Sequence, residues 1–327
     1  MEDNLIIIRV DGGIASQISF VALGKAFEEK GYKVKYDLSW FETAGRGFYN
    51  TTNGYDKTYD LNFDMLKAFP RLDIEIASKD EIKHYSQCFF ADSNEILRHS
   101  PPLYVGGYLG RHYDVYFAEC FAKYFSPKET QQESTPFYAL LQEILNTKSC
   151  GIHVRRGDLS QNHVVYGEPT SSIYFQRVIQ LVSQMDPESI YYLFSDDTAW
   201  VRENIAPLLE GKRFKICDIN TPEQGYLDLY LLSRCQVIVA SQGSLGVYAK
   251  MLSPHNALLI SPRVRNVFFE MENIMLVNWG ERVQVMNPCS SESLPSTHCQ
   301  NVTLRYKFFL YLYNRLRSKL LRKGVIQ

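Results

Sequence analysis

Residues 5–10, apolar except for Arg9, read as a buried-strand run that ends in Asp11-Gly12-Gly13. Apolar positions then recur at helical spacing through Ile18, Val21, Ala22, Ala26 and Phe27, up to Lys30-Gly31. A short apolar run bounded by glycines predicts a buried strand, and the spacing that follows predicts a helix. With a second strand expected at 33–37, this is a β-α-β unit with its glycines at the strand-to-helix turn. The second half alternates more regularly. Strands are expected at 150–154, 190–195, 214–218, 237–240 and 257–261, with helices at 172–185, 199–209, 223–235 and 245–252. Such alternation implies a parallel, doubly wound sheet. The middle is less regular. Residues 45–62, rich in Gly, Thr, Asn and Tyr, are expected to form a long surface loop; 113–124 and 137–145 read as helices; 126–135, polar and containing Pro127, reads as a linker. Two α/β units facing each other across a cleft is the simplest architecture.

Composition narrows the classes. A chain of 327 residues points to two domains, and 45% hydrophobic content is enough for sizeable cores. The 35 basic and 36 acidic residues nearly cancel, which argues against bulk nucleic-acid binding. The seven cysteines are odd in number and contain no C-x-x-C pair, so neither a disulfide framework nor a zinc site is expected. The sequence passes from Met1 almost directly into the first strand, with no signal peptide and no apolar run long enough to span a membrane, so a cytoplasmic location is expected. Residues 287–300 read as a linker to a last helix with Leu304, Phe308, Leu312, Leu316 and Leu320 four apart among many Arg and Lys residues. That helix packs across the domains with a solvated basic face, or binds an anionic membrane surface peripherally, and both can hold.

Four segments carry candidate chemistry. In the first, the apolar run 150–154 leads into Arg155-Arg156-Gly157-Asp158. Arginine grips phosphate bidentately, and ligands of open α/β sheets sit at the strands' carboxyl ends, so an anion site is favoured over a surface basic turn. The second ends a strand in Ser195-Asp196-Asp197. Those carboxylates suit a metal, a ribose hydroxyl or a helix cap; the spacing is not D-x-D, so no metal is inferred. The third runs from Asp228 on a helix, through a strand, to Ser241-Gln242-Gly243-Ser244 before another helix, where N–H groups and the helix dipole favour an anion. Asp228 either accepts from a guanine edge or faces solvent. The fourth is Asp11-Gly12-Gly13, whose glycines permit close backbone approach to a ligand. It fails G-x-G-x-x-G, which disfavours a nicotinamide dehydrogenase.

His153-Val154-Arg155-Arg156-Gly157-Asp158 resembles the His-x-Arg-Arg-Gly-Asp motif of the α1,2-fucosyltransferases, glycosyltransferase family 11. Phe194-Ser195-Asp196-Asp197 with Trp200 resembles that family's second motif, and residues 228–244 its third. Gly12-Gly13 with Gln17 resembles its N-terminal Gly-Gly-x-Gly-Asn-Gln. The absence of an N-terminal anchor is similar to the bacterial members, which build O-antigen and related glycans.

The resemblance implies a GT-B fold of two Rossmann-like domains. Residues 1–135 would be the acceptor-side domain, 136–286 the GDP-sugar-binding domain, and 287–327 the linker and C-terminal basic helix. It further implies GDP-β-L-fucose as donor, inverting transfer to the 2-OH of a terminal galactose, no cofactor and no metal. Carried over to this chain, Arg155 holds the pyrophosphate, His153 and Asp228 contact guanosine, and Asp196 or Asp197 lies near the nucleotide. Ser241 and Gln242 sit by the β-phosphate or fucose, with N–H groups at 241–244 assisting; Gly12, Gly13, Arg156, Asp158, Ser195, Gly243 and Ser244 complete the expected donor site. Arg156 either binds donor or holds its loop through a carboxylate. Asp11, at the end of the first strand, is a general base or caps the turn. The acceptor is a galactose-terminated oligosaccharide, free or lipid-linked. Three departures bear on acceptor more than donor: Ala240-Ser241-Gln242-Gly243-Ser244-Leu245-Gly246 in place of Asn-Ser-Ser/Thr-Phe-Ser-Trp-Trp, Ala15-Ser16 for Gly-Asn, and Leu159 for Tyr. A transferase of another nucleotide sugar and a non-catalytic glycan-binding protein are the competing readings.

Overall fold

The computed structural model describes residues 4–52, 55–86, 89–91, 100–106, 121, 124–127, 135–157, 159, 169–262 and 273–277. Asp158, most of the expected helix at 113–124, most of the linker at 126–135, and everything after 277 lie outside the described residues.

The first unit is built from β1 (Leu5–Arg9), α1 (Ile14–Glu29), β2 (Lys33–Asp37), α2 (Ser39–Glu42), β3 (Phe48–Thr52), β4 (Tyr55–Tyr59), α3 (Met65–Ala68), α4 (Lys79–Tyr85), β5 (Phe89–Ala91) and β6 (Leu103–Gly106). Its sheet has the order β2-β1-β6-β5 and is parallel throughout. β3 and β4 pair antiparallel, from Phe48 opposite Tyr59 to Thr52 opposite Tyr55. The expected loop at 45–62 is therefore largely a hairpin. Its Tyr, Thr and Phe residues are strand formers, and Asn53-Gly54 between the strands is a strong hairpin signal in the sequence.

The second unit comprises α5 (Pro136–Leu145), β7 (Ser149–Val154), α6 (Ser172–Met185), β8 (Ile190–Ser195), α7 (Thr198–Asn204), β9 (Phe214–Ile216), α8 (Gly225–Ser233), β10 (Val237–Val239), α9 (Leu245–Met251), β11 (Leu258–Pro262) and β12 (Ile274–Val277). The sheet order is β12-β11-β10-β7-β8-β9, again all parallel. Two expected helices are shorter than their apolar patterns. The one at 199–209 breaks into α7 and a 3₁₀ turn, Ala206–Leu209, because Pro207 cannot continue the hydrogen-bond ladder. The one at 223–235 opens with a 3₁₀ turn, Pro222–Gln224, closed by a Thr221–Gln224 capping box.

These are the two Rossmann-like halves expected of GT-B. Strand alternation divides their cores. Ile6, Ile8 and Val10 point to a cluster that also takes in Tyr192, Phe194 and Ile238, so one core runs through both units. Cys150, Ile152 and Val154 face a second cluster under α6, and Leu5, Ile7 and Tyr104 a third, with Tyr85 of α4. Helix α8 is buried on nearly every side, as its apolar composition requires, and packs against α3, α9 and β7.

The contact of α8 with β7 leaves no room at Gly151, where a Cβ would lie 2.6 Å from Leu232 Cδ1 and 2.8 Å from Cys235 Sγ. Gly151→Ala is expected to cost about 1–3 kcal/mol, the usual range for overpacking. A lowered urea midpoint at constant slope is the expected reading; an unmoved midpoint contradicts the packing.

Candidate active site

The order of the second sheet reverses between β7 and β10: the chain runs outward from β7 through β8 to β9, then returns to β10 and runs outward through β11 to β12. Diverging connections leave a crevice at the carboxyl ends of those two central strands. β7 ends there at Val154, followed by Arg155 and Arg156; β10 ends at Val239, followed by Ala240 and Ser241.

Hydrogen bonds fix this edge. The Arg155 backbone N–H donates to Ser241 Oγ at 2.9 Å, joining the two strand ends across the crevice. On the other side, Ser195 Oγ donates to the Val154 carbonyl at 2.7 Å, and the Arg156 N–H donates to Asp196 Oδ1 at 2.8 Å. Ser241 Oγ also lies 3.4 Å from His153 Nδ1. Burial, then the nearby Arg155 charge, pushes the His153 pKa down to about 3, so this imidazole is neutral across the physiological range.

Arg155 packs against the Gly243 backbone. Gly243 has φ +111°, and a Cβ there would come within 2.9 Å of Arg155 Nη1. Glycine is required twice over, for the backbone angle and for the guanidinium beside it. The turn is held from behind by two residues that the sequence patterns did not single out. Thr170 Oγ1 accepts from the Gln242 N–H at 3.0 Å, and Tyr174 OH donates to the Ala240 carbonyl at 2.8 Å. Both are about 1% exposed. The Gln242 N–H is thus committed to Thr170 rather than open to an anion, unlike the expectation for the N–H groups at 241–244. Ser244 precedes α9 without a side-chain cap.

The two arginines differ. The Arg156 guanidinium stacks over Trp200 at 4.2 Å from the ring centroid. Asp197 Oδ1 accepts from the Trp200 N–H at 3.0 Å, which makes Asp197 the N-cap of α7. Asp228 stands in the first turn of α8, after the strand β9, and accepts from Asn220 Nδ2 at 2.7 Å. The residue keeps some exposed surface, yet its carboxyl is enclosed: burial, only partly offset by Asn220, raises its pKa to about 7. It does not face solvent as an ordinary helix-surface acid would.

The first sheet contributes Asp11, Gly12 and Gly13. Gly12 has φ +77° and its carbonyl accepts from Gln17 Nε2 at 3.0 Å. Fully buried Gln17 also donates to Asn62 O at 2.8 Å and accepts from the Asp64 N–H at 2.8 Å, tying the Gly-Gly turn to the segment before α3. Asp11 does not cap α1: the N-cap is Gly13, with no side-chain cap. Its carboxyl is raised to about 6 by burial, against the opposing Arg9 charge. Helices α1 and α9, which begin at the carboxyl edges of their respective sheets, touch through Ser19 and Tyr248. Among the described residues, no three His, Cys, Asp or Glu side chains are grouped as metal ligands, and no helix is long and apolar enough to cross a membrane.

The family model of glycosyl transferase family 11 matches residues 113–282, more than half of the chain and the whole of the second sheet. The chain belongs to this family. An Escherichia coli relative, O-antigen biosynthesis glycosyltransferase WbnK, is 22% identical over 121 residues, which are 36% of this chain and 39% of that protein. The chain thus spans well under half the length of the curated relative it matches. Among solved structures, NodZ α-1,6-fucosyltransferase soaked with GDP-fucose aligns at 14% identity over 77% of this chain and 94% of that one, with a TM-score of 0.44. POFUT1 in complex with GDP-fucose aligns at 8% identity over 79% and 96%, with a TM-score of 0.43.

The described part of the His153–Asp158 motif thus converges on the crevice, with Arg155 against Gly243, His153 facing Ser241 and Arg156 turned onto Trp200. The enclosed Asp228 carboxyl gives this edge a pH signature. Its folded pKa, about 7, lies well above the ordinary carboxyl value of 3.8, so the stability it allows is full below pH ~4 and is lost as pH rises through about 7. Asp228→Asn removes that loss and keeps an acceptor for Asn220. Its melting temperature relative to the parent is expected to rise from pH 4.5 to pH 8; a difference that stays flat with pH contradicts the enclosed carboxyl.

Proposed function

We propose that the chain transfers L-fucose from GDP-β-L-fucose to the 2-OH of a terminal galactose, with inversion, forming an α1,2 linkage in a bacterial surface polysaccharide such as O-antigen. The observation that carries the donor side is Arg155 at the topological switch point of the second sheet, its backbone bound to Ser241 and its guanidinium against Gly243. Family membership and the His153–Asp158 motif support fucose as the transferred sugar, and the name of the E. coli relative supports the O-antigen context.

In this reading the acceptor oxygen attacks the anomeric carbon as the bond to the diphosphate oxygen breaks. The bonding pair leaves with the diphosphate, and the Arg155 guanidinium meets the charge that develops there. Neutral His153 and the enclosed Asp228 line the nucleoside side. Arg156 serves the site indirectly, by holding the loop on Trp200. Asp11 takes the hydroxyl proton; with its pKa raised to about 6, it is ionised at neutral pH and still close enough to that pH to act as a base. Charge neutralisation by arginine requires no metal and no cofactor. The acceptor is a galactose-terminated oligosaccharide, free or lipid-linked, and a lipid-linked one would bring the basic C-terminal segment near the membrane surface.

The test is transfer from GDP-fucose to lactose, with the product linkage read by NMR and EDTA present throughout. The parent is expected to form Fuc-α1,2-Gal and to be stabilised thermally by GDP but not by UDP or NAD. Arg155→Ala is expected to lose about 100- to 1000-fold in turnover, as when one preorganised donor is removed. Near-normal turnover of Arg155→Ala, or stabilisation by UDP instead of GDP, sinks the reading.

A further inference from the structure

In the first sheet, of order β2-β1-β6-β5, β1 is one of the two central strands, and Arg9 stands at its carboxyl end. Arg9 follows Leu5 and Ile7 on the face of β1 turned away from α1, and Asp11 continues that alternation just beyond the strand.

The surroundings of Arg9 are those of an unfinished binding site. Its Nε is buried and has no hydrogen-bond partner. Its ion-pair partner among the described residues, Asp11 Oδ2, is 3.8 Å from Nη2, too far for a hydrogen bond. A guanidinium has five donors in a fixed fork, and a buried donor left unsatisfied has lost its water without gaining a partner. The side chains of Arg9 and Asp11 keep 35% and 26% exposure, so an incoming molecule can reach both. The next acid, Asp37, stands opposite Arg9 on β2 and is already engaged: it accepts from the Ser39 N–H at 2.8 Å and from Tyr104 OH at 2.5 Å.

Charge decides the class of ligand. Two carboxyl groups, Asp11 and Asp37, stand by one guanidinium, so a phosphate or carboxylate would find no net positive field. A neutral sugar fits instead, because each of its hydroxyls both donates and accepts. An arginine and a carboxylate with nearly 4 Å between them can address two neighbouring hydroxyls, one each.

We propose that Arg9 is an acceptor-binding residue: it donates to the hydroxyl next to the one from which Asp11 takes the proton, which is the 3-OH when attack comes from the 2-OH. This rests on the fucosyl-transfer reading above. It gives the first sheet a binding role that Gly12 and Gly13 alone do not supply, and it makes the acceptor a neutral vicinal diol.

The experiment compares the parent with Arg9→Gln and Arg9→Lys, using GDP-fucose with lactose, methyl β-galactoside, its 3-deoxy analogue and methyl β-glucuronide. Arg9→Lys keeps the stem and the charge and guards against a folding defect. With methyl β-galactoside and lactose, Arg9→Gln is expected to raise the acceptor KM at least tenfold while the donor KM moves less than twofold, and Arg9→Lys is expected to fall between. The 3-deoxy analogue should be poor with the parent and no poorer with Arg9→Gln. An acceptor KM within twofold of the parent in both variants, an undiminished penalty on the 3-deoxy analogue, or a preference for the glucuronide overturns the proposal. A parent that transfers no fucose and ignores GDP is a separate result: it removes the donor reading itself.

Discussion

The hydrogen bond from the Arg155 N–H to Ser241 Oγ is the constraint on which the site depends. It joins the ends of β7 and β10, the two strands between which the sheet's connections diverge. With it, the strand end that carries Arg155 and the turn that carries Gly243 hold a fixed relation, and the guanidinium is laid along a backbone with no Cβ to obstruct it. A long, flexible cationic side chain loses about 1.5–2 kcal/mol of rotamer freedom when it is immobilised. Holding it before the ligand arrives removes much of that cost from binding.

The surrounding residues serve the same constraint in graded ways. Ser195 and Asp196 brace the outer side of β7, while Thr170 and Tyr174 brace the turn after β10. Arg156 is the clearest case of division of labour. It is adjacent in sequence to Arg155, yet its charge lies on an indole ring whose own helix is capped by Asp197. The same logic applies on the first sheet, where Gln17 uses both ends of its amide to pin the Gly12 turn and leaves Asp11 without a capping task.

What the chain discloses before folding follows from how local each signal is. Strands β1, β7, β8, β10 and β11 are visible because a strand buried on both faces must be continuously apolar. Arg155 was legible for the same reason, since a charged pair straight after such a strand has to lie at the sheet's edge. The β3–β4 hairpin is harder to see, because the Gly, Thr, Asn and Tyr content of 45–62 reads as loop even though Asn53-Gly54 marks a turn between strand formers. The roles of Thr170, Tyr174 and Asn220 depend on partners between 8 and 72 residues away, and no periodicity encodes such pairings. Arg9 carries no signal of its own in the sequence, because a single arginine near the end of an apolar run looks like any strand terminus. Its significance rests on the hydrogen bonds it lacks.

The central claim is that Gly243 exists to let Arg155 lie where a nucleoside diphosphate binds. Calorimetric titration of GDP into the parent and into Gly243→Ala tests it most directly, with the melting temperature of each protein measured alongside. A Cβ at this position would sit 2.9 Å from Arg155 Nη1. The account predicts at least a tenfold loss of GDP affinity in a variant that remains folded. Equal affinity in the two proteins would contradict it.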